Sequence, residues 1–254
     1  MNAAAIDYSI LWPALAAGLL VTATHVPLGI QVLNRGIVFI DLAIAQIAGL
    51  GVILADRLGF EPQGWLVQVF ALLAAVGGAL LLTWTEKHWP EVQEAVIGVS
   101  FVLAASGAVL LLASNPHGGE HLKELLVGQI LWVSPGRLAI VAAVYAALLG
   151  IWFTRGEQTG RVGFYLLFAC AVTISVQLVG LYLVFTTLIV PALAARRIAR
   201  YRLAVGFALS AAGYALGLVV STFADLPAGP AIVWVMAALA IVLFALSGHR
   251  HAAE

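Results

Sequence analysis

The stretch that decides the fold is GLYLVFTTLIVPALAARRIARYR, from Gly180 to Arg202. An apolar segment runs through Pro191 into a basic cluster, although the whole chain holds only 12 Lys and Arg residues. The cluster, called the arginine cluster below, consists of Arg196, Arg197, Arg200 and Arg202. Because basic loops beside membrane helices face the cytoplasm, the cluster predicts a cytoplasmic end for this segment.

The composition of the chain indicates that lipid is its solvent. Hydrophobic residues make up 63% of the 254 residues and charged residues only 9%, whereas a soluble domain carries roughly 25% charged residues. The formal net charge is zero, which excludes the overall basic excess typical of nucleic-acid-binding proteins. The single cysteine, Cys170, excludes an internal disulfide. The first apolar run follows Asp7 and no basic residue, so we expect a retained helix rather than a cleaved signal peptide.

Apolar runs of about 20 residues, the length that crosses a bilayer, recur along the chain. Charged or turn residues separate these spans: Ser9–Leu33, Gly36–Ala55, Gly64–Trp84, Gln93–Ala113, Arg137–Phe153, Leu203–Thr222 and Gly229–Leu246. No polar stretch between them is long enough for a soluble domain. The sequence therefore predicts an all-α fold, a polytopic transmembrane helix bundle in which residues 1–254 form one domain.

The remaining apolar segment, Val162–Ala195, is too long for one crossing. As one continuous helix it would extend about 51 Å, against a hydrocarbon core of about 30 Å. Basic residues flank both ends, with Arg155 and Arg161 before it and the arginine cluster after it. We therefore predict a broken, re-entrant hairpin that turns near Gly180 and returns to the cytoplasm, giving eight to nine membrane segments.

A count of basic residues supports nine passes with the N-terminus outside and the C-terminus inside. This arrangement puts nine basic residues inside, namely Arg35, Lys87, Arg155, Arg161, Arg196, Arg197, Arg200, Arg202 and Arg250. It puts three outside, namely Arg57, Lys123 and Arg137. The excess on the inner side agrees with the positive-inside rule.

Polar side chains inside apolar spans are costly and therefore indicate possible functional positions. The first span contains His25, and the second contains Asp41 and Gln46. Imidazole, carboxylate and amide oxygen together are plausible ligands along a path for a divalent cation. Structural alternatives stay open: a core histidine bonded to a carbonyl, a helix-start or ion-paired carboxylate, and a packing amide. Glu94 is interpreted as an interfacial residue that opens a helix.

The loop before the fifth span, SNPHGGEHLKE, holds a second set of metal-ligating side chains. His117 and His121 are four residues apart, and Glu120 lies between them. Such a His–Glu group could collect zinc or manganese outside the membrane. Because Gly118 and Gly119 disfavour a helix here, a solvated polar loop is the alternative.

Motifs for catalysis are missing from the sequence. It contains no GxxxxGK[ST] nucleotide-binding loop, so any use of ATP requires another chain. It contains neither HExxH nor GxSxG. We therefore expect a protein that is not an enzyme and binds no cofactor of its own.

An ordered series of segments resembles the ABC-type zinc and manganese permeases, the ABC-3 family. The segments are LGIQVLNRGIVFIDLAIAQIAGLGVILA, EAVIGVSFVLAASGAVLLL, LLVGQILWVSP, VQLVGLYLVFTTLIVPALAARR and LPAGPAIVWVMAALAIVLF. Together they cover most of the chain in the right order. The resemblance implies a fold similar to the type II importers of vitamin B12 and iron siderophores.

The resemblance also implies a function and a set of partners. It implies the inner-membrane permease of an importer for zinc or manganese, or iron, which binds the metal only in transit. The implied assembly is a homodimer in lipid with two cytoplasmic ATPase subunits and a solute-binding protein outside. The loop from Ala192 to Leu203 would be the coupling loop, with Ala192 and the arginine cluster at the ATPase. The path would follow the dimer axis, lined by the second span and the hairpin.

Two features depart from the family pattern. Relatives carry an Asp and a His four residues apart in the second helix, whereas here Ala45 lies four residues after Asp41 and Gln46 occupies the His position. An amide oxygen is a harder and weaker ligand than imidazole, and we hypothesise that His25 compensates. The loop Thr154–Arg161 is shorter than in relatives, so the ATPase contact is expected to rest on the arginine cluster.

Two other functions remain open at the level of sequence. A gradient-driven secondary carrier or channel would need an intramembrane coupling carboxylate, for which Asp41 is the candidate. A membrane scaffold without transport is disfavoured by the costly polar residues His25, Asp41 and Gln177. Co-purification of an ATPase and ATP-dependent uptake would distinguish the permease from both.

Overall fold

The computed structural model describes residues 8–61, 64–112, 126–155, 160–198 and 200–251, and these ranges form a helical bundle without strands. The helices in these ranges are α1 (Tyr8–Arg35), α2 (Ile40–Arg57), α3 (Trp65–His88), α4 (Gln93–Leu112), α5 (Pro135–Arg155), α6 (Gly160–Val179), α7 (Leu181–Ala194), α8 (Arg202–Ala224) and α9 (Ala228–His251). Short 3-10 turns add Pro90–Val92, Ile130–Trp132 and Ala195–Arg197. The all-α prediction is confirmed.

By length and composition, 7 of the described helices can cross a membrane. The exceptions are α2, whose 18 residues include Asp41, Asp56 and Arg57, and α7, which has only 14 residues. The prediction of eight to nine segments counted both of these helices. The difference arises because α2 is charged at both ends and α7 is one arm of the broken segment.

The break at Gly180 depends on two glycines. Gly180 separates α6 from α7 with φ 87° and ψ 160°. Its backbone lies against Gly128, so that a Cβ on Gly180 would lie 2.4 Å from the Gly128 nitrogen. Gly128 also has a positive φ, 72°. Residues with a side chain rarely adopt these conformations and would not fit here, which is why the chain turns at this point.

Both ends of the α6–α7 hairpin lie at the same end of the bundle. The guanidinium of Arg35, the last residue of α1, lies 4.1 Å from the centroid of the Phe164 ring near the start of α6. Beyond α7, Arg202 donates a hydrogen bond to Asn34 Oδ1 at 3.3 Å. The predicted return of the chain is therefore confirmed. We call this end, which carries Arg35 and the arginine cluster, the basic end.

The helices pack in two groups that α6 joins. Helix α1 packs on α7 and α8, while α2 packs on α3 and α4, and α6 packs on α3 and α2. Small residues permit the close approaches: a Cβ on Gly29 of α1 would lie 1.9 Å from the Leu188 carbonyl oxygen of α7. Large apolar side chains such as Trp234 and Ile140 are exposed and suit a lipid-facing surface.

Candidate cation path and coupling loop

His25 is completely buried in α1. Its Nδ1 lies 2.9 Å from Thr24 Oγ1 and 3.1 Å from the Val21 carbonyl oxygen. Its Nε2 has no hydrogen-bond partner among the described residues. Nδ1 therefore makes the hydrogen bonds of a structural core histidine, one of the alternatives that the sequence left open. Nε2 is available to bind a ligand. Four residues further on, Gly29 contacts α7, so His25 faces the α1–α7 side of the bundle.

Asp41 lies in the first turn of α2 and is completely buried. Within the described ranges neither of its carboxylate oxygens has a hydrogen-bond partner. Helix α4, whose second residue is Glu94, packs on α2. Glu94 Oε1 accepts a hydrogen bond from the Phe39 N–H at 3.3 Å. This hydrogen bond ties Glu94, interpreted from the sequence as an interfacial residue that opens a helix, to the turn before α2.

Gln46 points away from Asp41. Five residues of helix separate the two side chains by about 140° around the axis of α2. Gln46 lines a cavity of about 190 Å³ whose wall is otherwise apolar and includes Phe101, Val176 and Leu181. The two residues therefore do not converge on one point, and a metal ion bound by both would require a different conformation.

The structure does not gather the predicted metal-binding residues into one centre. His25 belongs to the α1–α7–α8 group, whereas Asp41 and Gln46 belong to the α2–α3–α4 group. In the described part of the chain, no three His, Cys, Asp or Glu side chains lie together as a metal site. The predicted outer-loop residues His117, Glu120 and His121 lie outside the described residues.

The arginine cluster follows α7, with Arg196, Arg197 and Arg200 exposed and Arg202 half-buried at the start of α8, whereas Ala192 within α7 is buried. Two of its side chains bind the rest of the bundle. The Arg197 guanidinium lies 4.1 Å from the centroid of the Phe244 ring on α9, and Arg202 binds Asn34 at the end of α1. The loop is therefore fastened to α9 on one side and to α1 on the other.

The other two arginines of the cluster extend into solvent. Arg196 is exposed, and Arg200 is exposed beside the ring of the adjacent Tyr201, 5.4 Å from its centroid. Their guanidinium groups remain accessible to an acidic partner surface. The cluster thus divides into residues that hold the loop and residues that could bind another protein.

A polar network at the basic end joins three helices. Gln93 at the start of α4 donates to the Leu82 carbonyl oxygen at 2.9 Å and to Tyr165 Oη of α6 at 3.3 Å. Its Oε1 accepts a hydrogen bond from Thr85 Oγ1 of α3 at 2.9 Å. The start of α4, and with it Glu94, is therefore held firmly to α3 and α6.

The opposite end contains a larger and more polar cavity. Its volume is about 820 Å³, and its polar lining consists of Gln68, Gln129, Ser134, Arg137 and Gln177. Gln177 lies three residues before the Gly180 turn, which puts this cavity at the end away from the arginine cluster. The rest of its lining is apolar and includes Trp132, Ile140 and Val144.

Comparisons with known proteins agree with this architecture. The model of the ABC 3 transport family matches residues 7–157 and 155–247. The chain is 26% identical over 248 residues to the high-affinity zinc uptake system membrane protein ZnuB of Haemophilus influenzae, covering 89% of this chain and 93% of that protein. It is 25% identical over 253 residues to the Synechocystis membrane protein slr2045, covering 91% and 88%. The structure of PsaBC from Streptococcus pneumoniae in complex with Fab superposes with a TM-score of 0.76 at 21% identity, covering 94% of this chain and 92% of that one.

Proposed function

The chain belongs to the ABC 3 transport family, whose model it matches over nearly its whole length, and we propose that it is the membrane-spanning permease of an ATP-driven importer for a divalent transition metal. It is a multi-pass protein of the cell inner membrane. The proposed cargo is zinc or manganese. The name of the similar Haemophilus protein, a zinc uptake system, supports a metal cargo.

The observation that carries the proposal is the division of the arginine cluster. Arg196 and Arg200 are exposed, whereas the likewise exposed Arg197 and the half-buried Arg202 fasten the same loop to α9 and α1. A partner that binds the exposed pair can therefore move the loop and two helices together. Because the chain has no nucleotide-binding loop, that partner is proposed to be a cytoplasmic ATPase. ATP-driven closure of the ATPase would then tilt the helices between outward-open and inward-open states.

The path is proposed to lie between two copies of the chain. Helix α6 leaves a partly exposed stripe along Cys170, Ile174 and Gln177, and this stripe leads into the polar cavity at the outer end. A second copy would close the stripe into a channel, and a solute-binding protein would deliver metal at the cavity. His25, Asp41 and Gln46 would then act at separate points along the path rather than as one centre.

The test is reconstitution of the chain with the ATPase that co-purifies with it. Affinity purification from native membranes should recover an ATPase subunit, and proteoliposomes of the complex should take up radioactive zinc or manganese only with ATP. Replacing Arg196 and Arg200 together by Glu should reduce the recovered ATPase at least tenfold. Arg137→Glu, an exposed arginine at the opposite end, is the matched control and should leave recovery unchanged.

Two results would contradict the proposal. Uptake by the chain alone, driven by an ion gradient without ATP, would establish a secondary carrier instead. Normal ATPase recovery with the doubly substituted loop would show that the arginine cluster is not the docking surface.

A further inference from the structure

The end of α1 contacts both the arginine cluster and α6. Asn34 Oδ1 accepts a hydrogen bond from Arg202 Nη1 at 3.3 Å. The next residue, Arg35, places its guanidinium 4.1 Å from the centroid of the Phe164 ring on α6. Two adjacent residues therefore connect the coupling loop to α6, the helix that precedes the re-entrant turn.

A helix-capping motif holds these two residues in fixed positions on α1. Gly36, with φ 72°, follows the helix. The Gly36 N–H donates to the Leu33 carbonyl oxygen at 3.3 Å, and the Ile37 N–H donates to the Val32 carbonyl oxygen at 3.3 Å. These two bonds form a Schellman motif, and the buried side chain of Ile37 anchors it. A pull on one of the two residues is therefore passed to the other rather than absorbed by a fraying helix end.

Phe164, which receives the Arg35 contact, is itself fixed by its neighbours. Its side chain is buried. Its ring centroid lies 6.1 Å from that of Trp152 on α5 and 5.7 Å from that of Phe168, one turn later on α6. The adjacent Tyr165 accepts a hydrogen bond from Gln93 Nε2 of α4 at 3.3 Å. A guanidinium on the Phe164 ring therefore acts on the start of α6 and not on a freely rotating side chain.

A second route from the coupling loop to α6 runs along the chain and is longer. The 3-10 turn Ala195–Arg197 packs on α7, α8 and α9. Helix α7 then extends for 14 residues before it meets α6 at Gly180, at the opposite end of the bundle. A displacement that takes this route must pass the backbone break, whereas the Arg35 contact acts on α6 at the end where the coupling loop lies.

We propose that Asn34 and Arg35 link the coupling loop to α6, and that Arg35 is a positioning residue that sets where the start of α6 lies. This step rests on the proposed function, in which an ATPase moves the coupling loop. When the loop moves, Arg202 carries the end of α1 with it, and the Arg35 guanidinium carries Phe164. Arg35 contacts neither the cargo nor the ATPase in this arrangement. Its loss should therefore leave ATP hydrolysis running while less metal crosses per ATP.

The first test compares radioactive zinc or manganese uptake with ATP hydrolysis, in proteoliposomes of the complex with its ATPase. Arg35→Gln removes the cation and should lower uptake per ATP about fivefold, with hydrolysis retained. Phe164→Leu removes the ring and should do the same. The double variant should be no worse than either single one, because both substitutions break one contact. Arg35→Lys keeps a cation for the ring and should retain most of the uptake. Arg155→Gln, on an exposed arginine at the end of α5, is the matched control and should behave as the unaltered protein does.

The single cysteine of the chain allows a second test, which reports on α6 itself. Cys170 lies six residues after Phe164, which is about 9 Å along a helix. It lines a cavity of about 250 Å³ between α5 and α6. Labelling by N-ethylmaleimide, read as the intact mass of this chain, should differ in rate without nucleotide and with ATP and vanadate. The difference should shrink about threefold in Arg35→Gln and Phe164→Leu, and should persist in Arg35→Lys and Arg155→Gln.

The outcomes separate this link from the proposed function. If the unaltered complex shows ATP-dependent uptake while Arg35→Gln keeps its uptake per ATP and its labelling difference, the link is wrong and the importer stands. Equal losses of hydrolysis and uptake in Arg35→Gln, or additive losses in the double variant, would show a structural role and overturn the link. A labelling rate that ignores nucleotide in the unaltered, transporting complex would overturn it as well, because α6 would not move. Absence of ATP-dependent uptake in the unaltered complex would refute the importer, and the link with it.

Discussion

The α1–α7–α8 group and the basic end of α2 and α4 both bury polar side chains. The two regions differ in whether these side chains have hydrogen-bond partners. In the first region the hydroxyls of Thr22 and Ser210 lie 2.8 Å apart, as do those of Thr187 and Tyr214. In the second region Asp41 has no partner among the described residues. Satisfied groups fix helices to each other, whereas a buried carboxyl group without a partner identifies a candidate place where something else binds.

The two regions also differ in how tightly their helices pack. Gly29 brings the backbones of α1 and α7 into direct contact and leaves no space between them. Helix α2, in contrast, borders the apolar cavity that Gln46 lines. We infer that the first region moves as a rigid unit with the coupling loop, while the second provides space near the cargo.

The largest expected effect comes from adding a methyl group between α1 and α7. Gly29→Ala would place a Cβ 1.9 Å from the Leu188 carbonyl oxygen. Such overpacking should lower the free energy of unfolding by about 3 kcal/mol. Thermal unfolding in detergent measures the change. Gly77→Ala in α3, where nothing lies within 4 Å of the new Cβ, is the control and should not destabilise; equal losses in both variants would contradict the rigid contact.

Asp41→Asn should have the next largest effect, and on transport rather than stability. We expect ATP-dependent uptake to fall about a hundredfold, or roughly 2.7 kcal/mol. The melting temperature should stay equal or rise, because a buried carboxyl group without a partner is replaced by an amide of the same size. Asp56→Asn, at the other end of α2, is the matched control for uptake. A destabilised Asp41→Asn that still transports would assign Asp41 a purely structural role.

The overall fold was largely predictable from the sequence. Apolar length and the positions of basic residues are local signals, and they predicted the reversal at Gly180. The contact that stabilises this turn could not be predicted, because it requires Gly128 to meet Gly180 across 52 positions. The start of α2 was also set too early, since Gly36 with φ 72° lies in the turn before the helix.

The candidate site was less predictable than the fold. Residue type alone identified Asp41 as costly, but the sequence suggested Gln46 and His25 as its companions. Glu94 comes 53 positions later, and only the packing of α4 on α2 brings it to the Phe39 N–H just before α2. The arginine cluster was visible as a charge run, whereas its contacts with Phe244 and Asn34 depend on tertiary structure.

A smaller effect is expected where a polar group of the first region loses its partner. Tyr214→Phe removes the hydroxyl that lies 2.8 Å from Thr187 Oγ1. Thr187 keeps its hydrogen bond to the Leu183 carbonyl oxygen at 2.7 Å, so the loss should be about 1 kcal/mol. Uptake per folded protein should not change. Tyr182→Phe, on an exposed tyrosine of α7, should change neither the free energy of unfolding nor uptake. A transport defect specific to Tyr214→Phe would contradict the purely structural role of the first region.

The smallest expected effect concerns His25, which combines features of both regions. Its Nδ1 is bonded like the groups of the first region, whereas its Nε2 has no partner among the described residues. A single available nitrogen binds zinc weakly, so His25→Ala should reduce zinc uptake only about threefold. Leu28→Ala, which truncates another buried side chain of α1, controls for the cavity. If the two variants take up zinc equally, His25 belongs entirely to the structural region, and the cation path does not pass it.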